Sequence, residues 1–148
     1  MNKQILTFLA SMTIASCAMA QVTVKDAWIR ATVPTAKATG AFMQLQSARD
    51  ARLVEVRSSA AGVVEIHEMA MEGQMMRMHA ITGLDLPAGK PVNLASGGYH
   101  VMLLDLKRQL KEGDTVPMTL VIQNQDKKTE TVSLSVPVKA LNYTAPKH

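Results

Sequence analysis

The chain has 148 residues, a net charge of +4, 47% hydrophobic residues and only 3% aromatics. That length suits one domain with a real core, built here from Val, Leu, Ile, Ala and Met. Its Lys and Arg are scattered among twelve acidic residues rather than gathered in a run, and stacking aromatics are scarce, which argues against nucleic-acid binding.

The chain opens like a leader. Lys3 supplies a positive start, Ile5 to Ile14 an apolar stretch, and Ala18-Met19-Ala20 an A-x-A cleavage site. This predicts a signal peptide over 1–20 and a mature domain over 21–148 that begins at Gln21. The apolar stretch is too short to span a bilayer and no stop-transfer pattern follows it. Ile14-Ala15-Ser16-Cys17 also resembles a bacterial lipobox, so lipidation at Cys17 competes with the soluble outcome that the A-x-A site favours. An exported chain would in either case have no cysteine for a disulfide, and packing must hold it together.

From Gln21 the dominant period is two, the mark of half-buried strands. Strands are expected over Val22 to Ala31, Gly40 to Gln46, Leu53 to Arg57, Val63 to Met69, Met75 to Ile81, Val92 to Ala95 and Tyr99 to Asp105. Two more follow around Met118, Leu120 and Ile122, and around Val132, Leu134, Val136 and Val138. Pro34, Gly62, Gly73, Pro87-Ala88-Gly89, Gly97-Gly98, Gly113-Asp114 and Gln125-Asp126 separate them as turns. Eight or nine short strands at this spacing predict an all-β, antiparallel sandwich or barrel. Leu103, Leu106 and Leu110 also fit a helical face, so the strand there is expected to give way to a short helical or irregular turn. Neither an internal repeat nor an interdomain linker is visible.

Five of the eight Met residues after the leader lie between Met69 and Met78, although Met is flexible and specifies a core poorly. Alternation puts Glu65, His67 and Met69 on one strand face, with Val64 and Ile66 turned to the core and His67 outward or at a rim. A turn of four residues including Gly73 leads into a hairpin partner on which Met76 and Met78 share one face and Arg77 and His79 the other. His100 and Met102 are two apart on a later strand and share a face as well. A hairpin edge and a strand mouth could therefore bring His67, Met78, His100 and Met102 to one point. Taken singly, each Met could be core and each His a satisfied surface group. Taken jointly, two soft neutral thioethers and two imidazoles suit Cu(I) better than Zn(II) or Fe(III). A thioether has no proton to lose and keeps binding in acid, but oxidation to the sulfoxide removes it as a soft donor.

These residues resemble the periplasmic copper chaperones called PCu(A)C, whose signature is His, ten residues, Met, twenty-one residues, then His-x-Met. Here His67 is followed by residues 68–77, Met78, residues 79–99 and His100-Val101-Met102. Ala27-Trp28-Ile29-Arg30, His67-Glu68-Met69, Met76-Arg77-Met78 and Gly97-Gly98-Tyr99-His100 agree too, and the similarity runs from about Val22 to Val136. The resemblance implies a cupredoxin-like Greek-key sandwich in the bacterial periplasm, with Cu(I) held by His67, Met78, His100 and Met102. It further implies delivery of copper toward the dinuclear CuA centre of cytochrome c oxidase, with a CuA-containing subunit or a Sco-type thiol protein as partner. Some members carry a His- and Met-rich tail for Cu(II); this chain ends in Tyr143-Thr144-Ala145-Pro146-Lys147-His148, with a single His. Met69, Met71, Met76 and His79 remain as auxiliary donors.

Other classes fit less well. A blue-copper electron carrier needs a Cys thiolate, and none follows Cys17. Neither a G-x-S-x-G elbow nor a His-Glu-x-x-His helix is present, so no enzyme and no small-molecule substrate are expected. Copper storage or detoxification through the same site, and a metal-free interaction sandwich, stay open as alternatives. A monomer is expected.

Overall fold

The computed structural model describes residues 21–146; the leader, Cys17 and His148 lie outside them. Ten strands follow in chain order: β1 (Val22–Arg30), β2 (Ala38–Ser47), β3 (Ala51–Arg57), β4 (Ala61–Glu72), β5 (Met75–Ile81), β6 (Leu84–Leu86), β7 (Val92–Leu94), β8 (His100–Leu106), β9 (Thr115–Asn124) and β10 (Thr129–Lys139). No helix occurs among the described residues. The extra strand, β6, is a three-residue edge paired with β3, too short to leave a periodicity in the sequence.

Two layers form the sandwich. The first runs β5-β4-β8-β2-β1 with β7 also on β2, and the second runs β10-β9-β3-β6. They are stitched by a short parallel contact in which Ile29 meets Val138 and Arg30 meets Lys139. Strands adjacent in space are often distant in sequence, as where β8 lies between β4 and β2, which is the Greek-key connectivity expected. Alternation builds the core: Ala41, Met43, Leu45, Ile66, Val101 and Leu103 from the first layer meet Leu53, Val116, Met118, Leu120, Ile122 and Val136 from the second, all buried. Burial of this aliphatic and thioether surface is what stabilises a chain without disulfides.

The stretch after β8 is irregular and not helical. Leu103, Leu106 and Leu110 are buried: alternation carries Leu103 into the core, the positive φ of +53° at Asp105 breaks that alternation just before Leu106, and a bend returns Leu110. Leu110 is held by Thr32, whose hydroxyl accepts from its backbone N–H at 3.0 Å and whose own backbone N–H donates to the Leu110 carbonyl at 2.8 Å. These pairings take up both main-chain groups of Leu110, so no helical bond is needed there.

The first layer's outer face carries the four candidate residues. On β8, Val101 and Leu103 face the core, which turns His100 and Met102 outward. The ladder sets His67 opposite His100 and Glu65 opposite Met102 on β4, and Gly40 opposite Met102 on β2. Further out, Met69 stands opposite Met78.

Candidate metal centre

His100 is the anchor of the candidate site. Gly97, in the left-handed region at φ +85°, turns the chain between Ala95 and Tyr99, a conformation glycine adopts without a Cβ penalty. The turn aims the Gly98 carbonyl back at the imidazole, and Nδ1 donates to it at 3.0 Å. A carbonyl only accepts, so this bond puts the ring proton on Nδ1 and leaves the Nε2 lone pair free. That lone pair points at Met78 Sδ, 3.2 Å away. A thioether is also an acceptor, so two electron-pair donors face the same place with no proton between them. The ring is buried, at 6% exposure, whereas Met78 is 52% exposed.

His67 completes the imidazole pair, its ring centroid 5.6 Å from that of His100 and the rings at 67°. The strand ladder is the cause, since the two residues are direct partners across β4 and β8. Its Nε2 donates to Glu65 Oε2 at 2.6 Å, while Nδ1 is buried and has no partner. A buried ring nitrogen without a hydrogen bond is costly unless something else uses its lone pair. Carboxylate support on the far nitrogen is the arrangement that orients metal-binding imidazoles.

Met102 joins through register: it shares the outer face with His100, lies opposite both Glu65 and Gly40, and is half-buried. Gly40 matters because a Cβ there would lie 2.8 Å from Phe42 Cζ, so glycine leaves room for that ring next to Met102's ladder partner. Phe42 in turn stacks at 4.7 Å on Trp28, over which the Arg30 guanidinium sits at 4.9 Å. A hollow of about 530 Å³ lies next to these aromatics and the Tyr143 tail but contains none of His67, Met78, His100 or Met102. The candidate centre lies instead at the hairpin edge of the sheet, its two imidazoles covered and Met78 reachable from solvent.

All four expected residues therefore lie on one face. His67, His100 and Met78 are brought together by direct contacts, and Met102 by its place in the ladder. His67 is more covered than the sequence reading held, with 12% of its side chain exposed, and Val64 is only half-buried while Ile66 is core. The hairpin turn is two residues, Gly73 and Gln74, rather than four, because pairing continues to Glu72 and Met75. Among the auxiliary donors, Met69, Met71 and Met76 share the face of Met78, whereas His79 lies on the other face and pairs with Glu72 at 2.7 Å. Two supporting groups escaped the sequence reading: the Gly98 carbonyl and the Glu65 carboxylate. The signal for Glu65 was the Glu-x-His alternation itself. Among the described residues no three His, Cys, Asp or Glu side chains gather around a metal position, so any ion held here depends on sulfur.

The model of the LpqE-like family matches residues 22–138. The chain belongs to that family. A relative from Leifsonia xyli subsp. xyli (strain CTCB07), named "Putative lipoprotein Lxx21020", is 34% identical over 119 residues, covering 80% of this chain and 69% of its own. Among solved structures, the copper-bound PCuAC domain from PmoF2 superposes with a TM-score of 0.66 at 25% identity, covering 83% of this chain and 96% of that domain. The Cu(I) form of DR1885 from Deinococcus radiodurans, solved in solution, superposes at 0.59 with 29% identity, covering 88% of this chain and 85% of that one. An apo PCuAC domain from PmoF1 gives 0.66 at 26% identity, covering 82% and 95%. The PCu(A)C resemblance drawn from the His and Met spacing is borne out, as is the sandwich. This LpqE-like chain, like those domains, is a carrier-type fold and not an enzyme.

Proposed function

We propose that the protein is an exported Cu(I) carrier that holds one ion between His67, Met78, His100 and Met102 and yields it to a thiol acceptor. The observation that carries this reading is the approach of His100 Nε2 to Met78 Sδ at 3.2 Å while Nδ1 is committed to the Gly98 carbonyl. Lone pairs from an imidazole and a thioether directed to one position fit a soft monovalent ion. The partnerless Nδ1 of His67 adds a third donor and Met102 a fourth. Copper in the PmoF2 and Deinococcus radiodurans neighbours supports copper as the ion.

Release follows from the same chemistry. Two neutral thioethers and two imidazoles hold Cu(I) less tightly than thiolates do, so the downhill direction runs toward a Cys-bearing acceptor. Met78, half-exposed at the sheet edge, is the ligand an incoming thiolate displaces first. The ion stays Cu(I) throughout: each entering thiol gives up its proton to water or to a freed imidazole, and each leaving thioether is released unchanged. A CuA-type oxidase subunit or a Sco-type protein has the required dithiol, which makes cytochrome c oxidase assembly the proposed destination.

The setting proposed is the periplasm, reached through the leader over 1–20. Intact mass of the secreted protein tests this: a start at Gln21 is expected, and a lipidated Cys17 would tie the carrier to a membrane, as the name of the Leifsonia relative suggests for that protein. Titration of the purified protein with Cu(I) against a competing chelator tests the carrier itself. One ion per chain is expected to be retained against the chelator, followed by transfer on mixing with a reduced dithiol domain. Binding without transfer to excess acceptor would favour storage, and absence of binding would leave only a metal-free interaction module.

A further inference from the structure

The β4–β5 hairpin carries more sulfur than the candidate centre uses. Met69 stands opposite Met78, and Met71 opposite Met76, in consecutive same-face rungs of one antiparallel ladder. Side chains directly opposite have Cβ atoms about 5 Å apart, and rungs two residues along a strand are separated by roughly 7 Å. Four flexible thioether arms rooted at that spacing can converge on one ion. Their face is also that of His67 and His100, because His67 lies in the same alternation as Met69 and Met71.

Packing does not account for these residues. Met71, Met76 and Met78 are 61%, 50% and 52% exposed, and β5 is the edge of its layer, with β8 pairing β4 only as far as His67. Beyond that point the hairpin is a two-stranded ribbon. Its opposite face is charged, with Glu72 paired to both Arg77 and His79. A ribbon that needed only strand propensity would use β-branched residues, and Met supplies instead a soft, neutral donor.

We propose that Met69, Met71 and Met76, with Met78 shared at the boundary, form a second, thioether-only site for a soft monovalent ion. It lies along the ribbon from the His67–His100 centre, so Cu(I) loads at the hairpin tip and moves inward by exchanging one thioether for an imidazole at a time. This rests on the carrier reading above and adds its entry route.

Ag(I), a soft monovalent probe, tests it on the purified protein carrying methyl-labelled Met. The first equivalent shifts the Met78 and Met102 methyl signals, and a second shifts those of Met69, Met71 and Met76, with native mass spectrometry giving two ions per chain. The Met69→Leu/Met71→Leu/Met76→Leu variant, altered only on the ribbon, keeps the first shifts and binds one ion; Met71→Leu alone weakens the second ion if the triple variant misfolds. A wild type that stops at one ion with Met71 and Met76 unmoved overturns the proposal, as does a second ion in a folded triple variant. Failure of the carrier reading looks different: Met102 stays unmoved at every equivalent while the ribbon signals shift.

Discussion

His100 and Met78 meet at 3.2 Å although they lie 22 positions apart in the chain. The contact is made by two different devices. On one side a glycine turn feeds β8 and locks the imidazole through Gly98; on the other a hairpin folds back so that Met78 overhangs the sheet. Each device carries two of the candidate donors, His100 and Met102 on β8 and His67 and Met78 on the hairpin, and the set of four is complete only where the hairpin edge and the strand mouth coincide.

Met78 is therefore expected to separate binding from folding. Half-exposed, it should lose less than about 0.5 kcal/mol of stability as Met78→Leu, the ordinary range for surface positions. Cu(I) affinity should fall by more than about tenfold, since even an outer-shell group costs that much. Met118, 2% exposed in the core, gives the opposite pattern: Met118→Ala should cost about 2–5 kcal/mol and leave affinity of the folded fraction unchanged. Thermal melts and chelator competition on both variants check this, and a Met78→Leu protein that melts early yet binds normally would move Met78 out of the site.

Gly40 offers a test of how the aromatic patch shapes the site. A methyl at this position would meet the Phe42 ring at 2.8 Å, and that ring is pinned between the sheet and Trp28. Gly40→Ala should cost about 1–3 kcal/mol, as overpacking does, and shift the Met102 methyl resonance, because Met102 is Gly40's ladder partner. An unchanged Met102 signal in a destabilised protein would show that Phe42 and the candidate centre are independent.

Much of this was legible in the sequence, and the rest was hidden for identifiable reasons. Period-two alternation located eight of the strands because each has a core face, and it put Ile66 inside and His67 outside; β5, which has no buried residue, was found through the Gly73 turn that makes it a hairpin partner. The His and Met spacing identified the four candidate ligands, since spacing survives whatever the loops do. The three-residue β6 was invisible because alternation needs more length to register. The helical pattern of Leu103, Leu106 and Leu110 was a coincidence of a strand and a returning bend, decided by Thr32, 78 residues away in sequence from Leu110. Glu65's role depended on a rotamer, and Gly40's on a neighbouring ring, neither of which any period encodes.

Asp114 carries a pH dependence of stability away from the site. Its carboxylate accepts from the Lys111 backbone N–H at 3.0 Å and from Arg108 at 3.2 Å. Chiefly the backbone bond from Lys111, and then the Arg108 hydrogen bond and charge, hold its pKa below the ordinary Asp value. A group depressed in the folded state stabilises the fold above its unfolded pKa and loses that contribution as pH falls through the folded one. Asp114→Asn should therefore melt earlier than wild type near neutral pH and converge with it in acid, below the ordinary Asp range. A constant difference between the two at every pH would mean the carboxylate's charge plays no part.

Glu65 is expected to act on the ion without touching it. Its Oε2 accepts from His67 Nε2 at 2.6 Å, which fixes the ring and leaves Nδ1 as the nitrogen with a free lone pair. Outer-shell groups of this kind typically account for about 10–100-fold in metal affinity. Glu65→Ala should lose that factor while folding normally, since the Glu65 side chain is 39% exposed and packs little. Glu65→Gln keeps an acceptor oxygen of the same reach and should recover most of the loss. The discriminating measurement is the nitrogen resonances of His67 in the apo protein. A settled Nε2–H tautomer is expected in wild type and in Glu65→Gln, and an exchanging mixture in Glu65→Ala. Equal Cu(I) affinity across all three proteins, with that tautomer unchanged, would mean that the ladder partner His100 orients His67 instead and that Glu65 only solvates the rim.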